Sequence, residues 1–109
     1  MRFLLAVLDI EGNPGNDDEM AAIDAFNERL VTEGHWIMAC GVEGRSSAIV
    51  VDNRDGLGAV TAGPAHDAAE FMSGFWLITA ESREQALELA QEGSRCCNRR
   101  VEVRALHGE

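Results

Sequence analysis

The sequence has few basic residues, with 9 Lys and Arg against 19 Asp and Glu, and its formal net charge is −10. Phosphate backbones and anionic lipid surfaces repel such a chain, so it is not expected to bind nucleic acid or a membrane. The acidity is ordinary for a soluble protein and does not separate an enzyme from a binding module.

Cysteine and histidine are also scarce, with three residues of each. The cysteines are odd in number and show no C-x-x-C spacing, so they indicate neither a disulfide framework nor a zinc site. The histidines are separated and no paired carboxylate motif accompanies them, so no metal is expected. No Gly-rich phosphate loop of the P-loop or dinucleotide type occurs, and no cofactor is expected either.

Long apolar segments are missing as well. The first apolar run, residues 3–8, is ended by Asp9 and Glu11 before it reaches the length of a signal-peptide core. No other segment approaches the length of a transmembrane helix. These features predict a cytoplasmic protein with reduced thiols.

The 109 residues include 46% hydrophobic ones, enough for one small core. Residues 3–8 have the continuous apolar character of a central strand. Residues 19–33 predict a helix, with an N-cap among residues 16–18 and Gly34 at the C-terminal end. The side chains expected on its buried face are those of Met20, Ile23, Phe26, Leu30 and Val31.

The middle of the chain carries strand and turn signals. Residues 36–42 predict a second strand. Residues 47–52 and 57–61 flank a turn with Asp55-Gly56, a strong signal for a β-hairpin. Residues 75–80 predict a further strand.

The C-terminal part predicts one more helix and one more strand. Ser82 and Gln85 form a capping box, and Gly93 is expected to end the helix. Residues 101–106 alternate as a half-exposed strand does. With the hairpin set aside, the order predicts a ferredoxin-like βαββαβ domain of the α+β class over residues 1–109. Its second sheet face needs an apolar cover, and a homodimer is the simplest one.

Several segments are similar to those of a known family. Residues 60–65 (V-T-A-G-P-A), Glu70 and residues 74–78 (G-F-W-L-I) resemble, without a gap, the V-T-D-G-P-F segment and the later G-G-F-x-L-I of the YCII-related (DGPF-type) family. The resemblance spans residues 20–106. It also includes residues 26–30, Gly34, residues 82–90 and residues 101–106.

The resemblance implies a dimeric α+β barrel made of two ferredoxin-like subunits. Most members have no assigned function, a few are linked to small-molecule lyase or dehalogenation chemistry, and a His–Asp pair is proposed as catalytic in one branch. This chain departs from the pattern, because Ala62 and Ala65 replace the aspartate and phenylalanine of D-G-P-F and Ala69 replaces a frequent lysine. It also has no histidine between Met1 and Gly34. The acid–base chemistry proposed for the branch with the His–Asp pair therefore does not transfer to this chain through these residues.

The best cluster of ionisable residues is His66, Asp67 and Glu70, which follows a rigid Gly63-Pro64 corner. A histidine that titrates near neutrality beside carboxylates can act as a general acid or base. The corner would fix this loop at the mouth of a pocket. The alternative is an exposed polar loop whose carboxylates open a short helix.

Other residues are candidates for ligand binding. Asp9 and Glu11 follow the first strand and are expected at a cleft between sheet and helices, unless they only solvate a loop. His35 and Trp36 could line an apolar pocket with Trp76 across the sheet, unless the tryptophans belong to the core or a dimer interface.

The cysteines allow two interpretations. Cys40 lies on a predicted strand and is expected to be a small buried hydrophobe. Cys96 and Cys97 lie among arginines, which could lower their pKa values and make them reactive, but inert thiols are the more common case.

Two classes of function therefore remain open. One is a small-molecule enzyme with lyase- or dehalogenase-like acid–base chemistry in the cleft between helices and sheet. The other is a non-catalytic dimeric module that binds a ligand or serves a larger assembly.

Overall fold

A computed structural model describes residues 1–108 of the chain. It has two helices and six strands, and short 3₁₀ turns at Arg45–Ser47 and Arg54–Gly56. The elements in chain order are β1 (Arg2–Ile10), α1 (Asp17–Thr32), β2 (Trp36–Gly41), β3 (Ile49–Asp52), β4 (Ala59–Ala62), β5 (Glu70–Thr79), α2 (Arg83–Cys97) and β6 (Arg100–Ala105).

Four strands form one antiparallel sheet in the order β2-β5-β1-β6. The prediction of a ferredoxin-like α+β fold is confirmed, because β1, β2, β5 and β6 with the two helices reproduce the double split β-α-β motif. Strands β3 and β4 pair only with each other and form the extra hairpin, which we call the ribbon.

The core lies between one face of this sheet and the two helices. Phe3 and Leu5 of β1 alternate with their outward neighbours and pack with Phe26 and Leu30 of α1. All four side chains are almost completely buried. The continuous apolar run of β1 is thus explained by its central place in the sheet.

The opposite face of the sheet is also apolar. Leu4 of β1 pairs with Leu77 of β5, and Ala6 pairs with Phe75. Met38 lies beside Leu77 on the edge strand β2 and is exposed. Within residues 1–108 no helix packs on this face, which we call the open face.

Helix α1 begins as the sequence predicts, because the Asn16 side chain accepts a 2.8 Å hydrogen bond from the backbone N–H of Glu19. Its buried face is narrower than predicted. Phe26 and Leu30 are buried, whereas Met20 and Val31 are exposed, so the expectation for these two residues was wrong. They lie at the two ends of the helix, where the sheet and α2 do not cover them.

Helix α2 does not end at Gly93, and that prediction was wrong. It begins after the Ser82 cap and continues to Cys97, and Asn98 in the left-handed conformation ends it. Gly93 has a packing reason instead, because a Cβ there would lie 3.2 Å from the ring of Phe26 and 3.3 Å from that of Trp76. The glycine lets the helix approach two aromatic rings closely.

The middle of the chain agrees with the hairpin prediction. Asp55 and Gly56 both have positive φ, as the turn requires, although the strands begin two residues later than predicted. Strand β5 starts at Glu70 rather than at residue 75, because β1 continues to Ile10 and keeps pairing with it. Since Glu70 opens a strand, the alternative of a short helix there was wrong.

None of the helices within residues 1–108 combines the length and the apolar composition that crossing a bilayer requires.

Candidate functional site

A cleft of about 370 Å³ opens between α1, the end of α2 and the helix-facing side of the sheet. Its walls are mainly apolar and include Val7, Ile23 and Trp76. Charged side chains from three separate segments gather at one end: Asp9, Glu19 and Arg99. A pocket of this size with few polar groups suits a small molecule.

Trp76 forms part of the cleft wall, and two contacts hold its ring. The indole Nε1–H of Trp76 donates a 2.7 Å hydrogen bond to Oδ1 of Asn27 on α1. The ring of Phe26 meets that of Trp76 edge-to-face, with centroids 5.3 Å apart. Because both ends of the indole are held, Trp76 presents a fixed apolar surface to the cleft.

Glycine shapes the floor. A Cβ on Gly74 would lie 2.9 Å from the carbonyl oxygen of Cys40, so β2 and β5 can approach this closely only without a side chain there. Gly74 lies next to the register shift between β1 and β5. Gly74 therefore keeps the strands of the sheet close together beside the register shift, where both strands line the cleft.

Arg99 organises the polar end. Its Nε lies 3.0 Å from Oδ2 of Asp9, and its Nη1 lies 3.3 Å from Oε1 of Glu19. The same guanidinium donates to the carbonyl oxygens of Cys97 at 2.7 Å and Asn13 at 2.5 Å. The Arg99 side chain is only 10% exposed, so these contacts replace most of its hydration.

Asp9 is fixed as a carboxylate. Burial alone would raise its pKa, but hydrogen bonds from the Ile10 N–H, Arg99 and Asn13 outweigh burial and hold the pKa of Asp9 below its ordinary value. Burial opposes the charge of Arg99, yet Asp9 and Glu19 raise its pKa further. At neutral pH Asp9 is thus a weak base whose role is to accept hydrogen bonds.

The thiols near this end are not activated. Burial raises the pKa of Cys97 and of Cys96, and for both it outweighs the effect of the nearby arginines. The hypothesis of lowered thiol pKa values was therefore wrong. Cys40 is exposed on the edge strand β2, so the expectation that it is buried was also wrong.

The structure brings Asp9 and Trp76 into the cleft, as the ligand-binding hypothesis requires. Glu11 lies outside it and pairs with Arg45, with 3.2 Å between Glu11 Oε1 and Arg45 Nε. Arg45 also stacks over the ring of Phe71 at 4.6 Å, and it donates to the carbonyl of Ala68. These contacts tie the base of the ribbon to the ends of β1 and β5.

His35 and Trp36 are not brought together with Trp76. A ring nitrogen of His35, Nδ1, lies 2.9 Å from the carbonyl oxygen of Thr79, so it joins the ends of β2 and β5. Trp36 borders a separate open depression with Asn27 and Val31, between α1 and the start of β2.

His66 and Asp67 lie on the exposed loop that joins the ribbon to β5. Glu70 pairs with Arg100 through two hydrogen bonds of 2.8 and 3.1 Å. Within residues 1–108, none of these three residues hydrogen-bonds to another of them. Their catalytic role stays a prediction.

The Gly63-Pro64 corner belongs to the same connection. Gly63 has a φ of 106°, and its N–H donates a 2.7 Å hydrogen bond to the carbonyl of Ala48 at the base of the ribbon. The corner therefore closes the ribbon and is not part of the cleft lining. Its role in ligand binding also stays a prediction.

Sequence reasoning did not identify Arg99, Glu19 and Asn27. One signal was present, because Arg99 lies two and four residues before Val101 and Val103, which face the core. Strand periodicity continued backward therefore places Arg99 on the helix side of the sheet. The partners of Arg99 could not be read in this way, since they depend on the approach of α1 and β1.

No group of three His, Cys, Asp or Glu side chains is arranged to hold a metal ion within residues 1–108. The cleft supplies only Asp9 and Glu19 as carboxylates, and Arg99 lies against both. The polar end is therefore a salt-bridged network.

The sequence of the chain matches a known protein family. No curated protein compared with the chain matches it. The family model of the YCII-related domain matches residues 1–106, which includes all the elements of the fold and all three charged residues of the cleft. The chain belongs to the YCII-related domain family.

Proposed function

We propose that this protein binds a small molecule in the cleft between α1 and the sheet. The observation that carries the proposal is the combination of a 370 Å³ volume, apolar walls and one charged end. Such a site holds the apolar part of a ligand by burial and orients it through a few polar groups. Trp76 is the fixed element of the apolar part, because Asn27 and Phe26 both hold its ring.

Ligand binding is favoured over acid–base catalysis by the state of the polar groups. Asp9 is held ionised by its hydrogen bonds, so it is a weak general base and does not act as a general acid. None of the described residues that line the cleft is a histidine. Lyase- or dehalogenase-like chemistry would need groups from the His66 loop, which lies on the exposed side of the connection to β5.

We also propose that the working form is a homodimer that covers the open face. Support comes from Leu4, Phe75 and Leu77 on that face, which in one subunit have no helix over them. The ribbon adds a second apolar surface, because Val51 and Val60 pair on one side of it and are 66% and 69% exposed. A two-stranded hairpin has little stability by itself, so contact with a second subunit would stabilise it.

Binding in the cleft can be tested with a neutral probe. We expect phenethyl alcohol to cause saturable amide shifts in a ¹H–¹⁵N NMR titration, concentrated at residues around Ile23, Trp76 and Arg99. Met20→Ala removes an apolar side chain from the cleft rim and should weaken binding by about threefold to tenfold.

Val31→Ala is the matched control. Val31 and Met20 are similarly exposed on α1, at 58% and 55%, but Val31 does not line the cleft. We expect this variant to bind phenethyl alcohol like the unmodified protein. Absence of saturable shifts, or an equal loss in the two variants, would rule out the cleft as the binding site.

A further inference from the structure

The hydrogen-bonding capacity of Arg99 is almost used up within the protein. A guanidinium has five N–H donors. In Arg99 three of them go to Glu19, the Cys97 carbonyl and the Asn13 carbonyl, and the Nε side lies against Asp9 at 3.0 Å. An incoming carboxylate or phosphate needs a pair of parallel N–H donors for a strong contact, and none remains.

The cleft also contains an acceptor atom that no donor within residues 1–108 uses. Oε1 of Glu19 accepts from Arg99, whereas Oε2 accepts no hydrogen bond from residues 1–108. Glu19 lines the cleft and is only 18% exposed. A ligand that donates a hydrogen bond would find in this oxygen a partly desolvated carboxylate partner, which makes such a bond strong.

The charges that line the cleft also favour a hydrogen-bond donor over an anion. Two carboxylates and one guanidinium leave the lining of the cleft with one net negative charge. The net charge of −10 over the whole chain adds to this potential. The N-terminus of α1 would by itself favour an anion, but Asp17, Asp18 and Glu19 already occupy its first turn.

From these contacts, and resting on the proposed function, we infer that the cleft selects ligands with an apolar body and a hydrogen-bond-donating end, neutral or cationic. Primary amines are the class that fits best, and carboxylates and phosphates are disfavoured. The donor end lies against Glu19, while the apolar body lies against Ile23 and Trp76. Arg99 is a positioning residue, since it holds Glu19 in place and contacts the ligand weakly.

Three ligands of nearly equal size test this selectivity at pH 7: phenethylamine, phenethyl alcohol and phenylacetate. We expect the amine to bind about tenfold tighter than the alcohol, which corresponds to one charge-assisted hydrogen bond, and phenylacetate to bind weakest. Glu19→Gln keeps an acceptor for Arg99 but removes the charge. In that variant the amine should lose its advantage, so that the affinities of the amine and the alcohol differ by less than about twofold.

Glu28→Gln is the matched control, because it makes the same charge change on an exposed part of α1 outside the cleft. It should leave the order of the three ligands unchanged, and circular dichroism melting should show that both variants fold. Tightest binding of phenylacetate, or an equal effect of the two substitutions, would overturn the inference while leaving the cleft as a binding site. If none of the three ligands binds, the proposed function itself fails.

Discussion

The Nε atom of Arg99 lies 3.0 Å from Oδ2 of Asp9, which joins the end of β1 to the residue before β6. The same guanidinium holds Glu19 at the start of α1 and the backbone of Asn13 in the loop between them. The end of β1, the loop after it and the start of α1 therefore meet on one side chain from the far end of the chain. The shape of the cleft and its net charge both depend on this meeting point.

Asp9→Asn should make the free energy of unfolding vary less with pH in the acid range. The pKa of Asp9 is below its ordinary value of 3.8, so its carboxylate stabilises the fold fully above that pH and loses this effect as the pH falls through the folded-state pKa. We expect a loss of about 1.5–3 kcal/mol in the free energy of unfolding at pH 7. The gap to the unmodified protein should narrow below pH 4 in urea unfolding.

Asp24→Asn serves as the control for this experiment, because Asp24 is exposed on α1. It should show little change at either pH. A gap between Asp9→Asn and the unmodified protein that stays constant from pH 7 to pH 3 would contradict the role assigned to the carboxylate.

Gly93→Ala should destabilise the protein although alanine is the better helix former. The added methyl group would press on Phe26 and Trp76 at 3.2 and 3.3 Å. Overpacking of this kind costs about 1–3 kcal/mol, against a gain of about 1 kcal/mol in helix propensity. We expect a lower melting temperature and a shift in the fluorescence of Trp76.

The propensity gain can be measured separately at Gln91, an exposed position of α2. Comparing Gln91→Ala with Gln91→Gly gives the alanine preference without any packing change. If Gly93→Ala stabilises the protein by the same amount, the contact with the two rings is not tight.

The three thiols should react at different rates. Cys40 is exposed, whereas burial raises the pKa of Cys96 and Cys97. With Ellman's reagent at pH 8 we expect Cys40 to react first and Cys97 last, at least about tenfold more slowly than in the denatured chain. Single cysteine-to-serine variants assign the phases, and a fast phase that disappears with Cys97→Ser would contradict this order.

His66→Ala should leave the melting temperature nearly unchanged, because His66 is exposed on the loop before β5. Binding of phenethyl alcohol should also stay the same, since His66 does not line the cleft. Turnover of any substrate found for this protein should survive the substitution. Loss of turnover with intact binding and folding would instead support the acid–base hypothesis for His66 and Asp67.

Val51→Lys should weaken the proposed homodimer. Val51 is 66% exposed in one subunit, so the substitution costs a monomer little, but it would place a charge in an apolar interface. We expect the dimer dissociation constant to rise at least about tenfold in sedimentation equilibrium. Thr61→Lys on the other side of the ribbon is the control, and an equal effect of both substitutions would show that this side of the ribbon is not in the interface.

The fold was predictable from local patterns. The apolar run of β1, the Asn16 and Ser82 caps and the Asp55-Gly56 turn each specify an element through short-range chemistry. The error at Gly93 has a tertiary cause, since a glycine that ends helices elsewhere here makes room for Phe26 and Trp76. No pattern within α2 distinguishes these two uses of glycine.

The site was predictable only in part. Asp9 was expected at the end of the first strand and Trp76 across the sheet, so the positions of both on predicted strands indicated the cleft. The partners of Asp9 were hidden, because Arg99 and Glu19 meet it only after the first and last strands pair. The cluster around His66 stood out in sequence because its residues are adjacent, yet adjacency did not bring them into contact.

The central place of β1 has a consequence for synthesis. Both neighbours of β1 in the sheet, β5 and β6, lie in the last two fifths of the chain. The apolar strand β1 therefore stays unpaired until most of the chain has left the ribosome. Contacts of such long sequence separation also slow folding. The net charge of −10 opposes association of nascent chains during this interval, and completion of the sheet coincides with the arrival of Arg99.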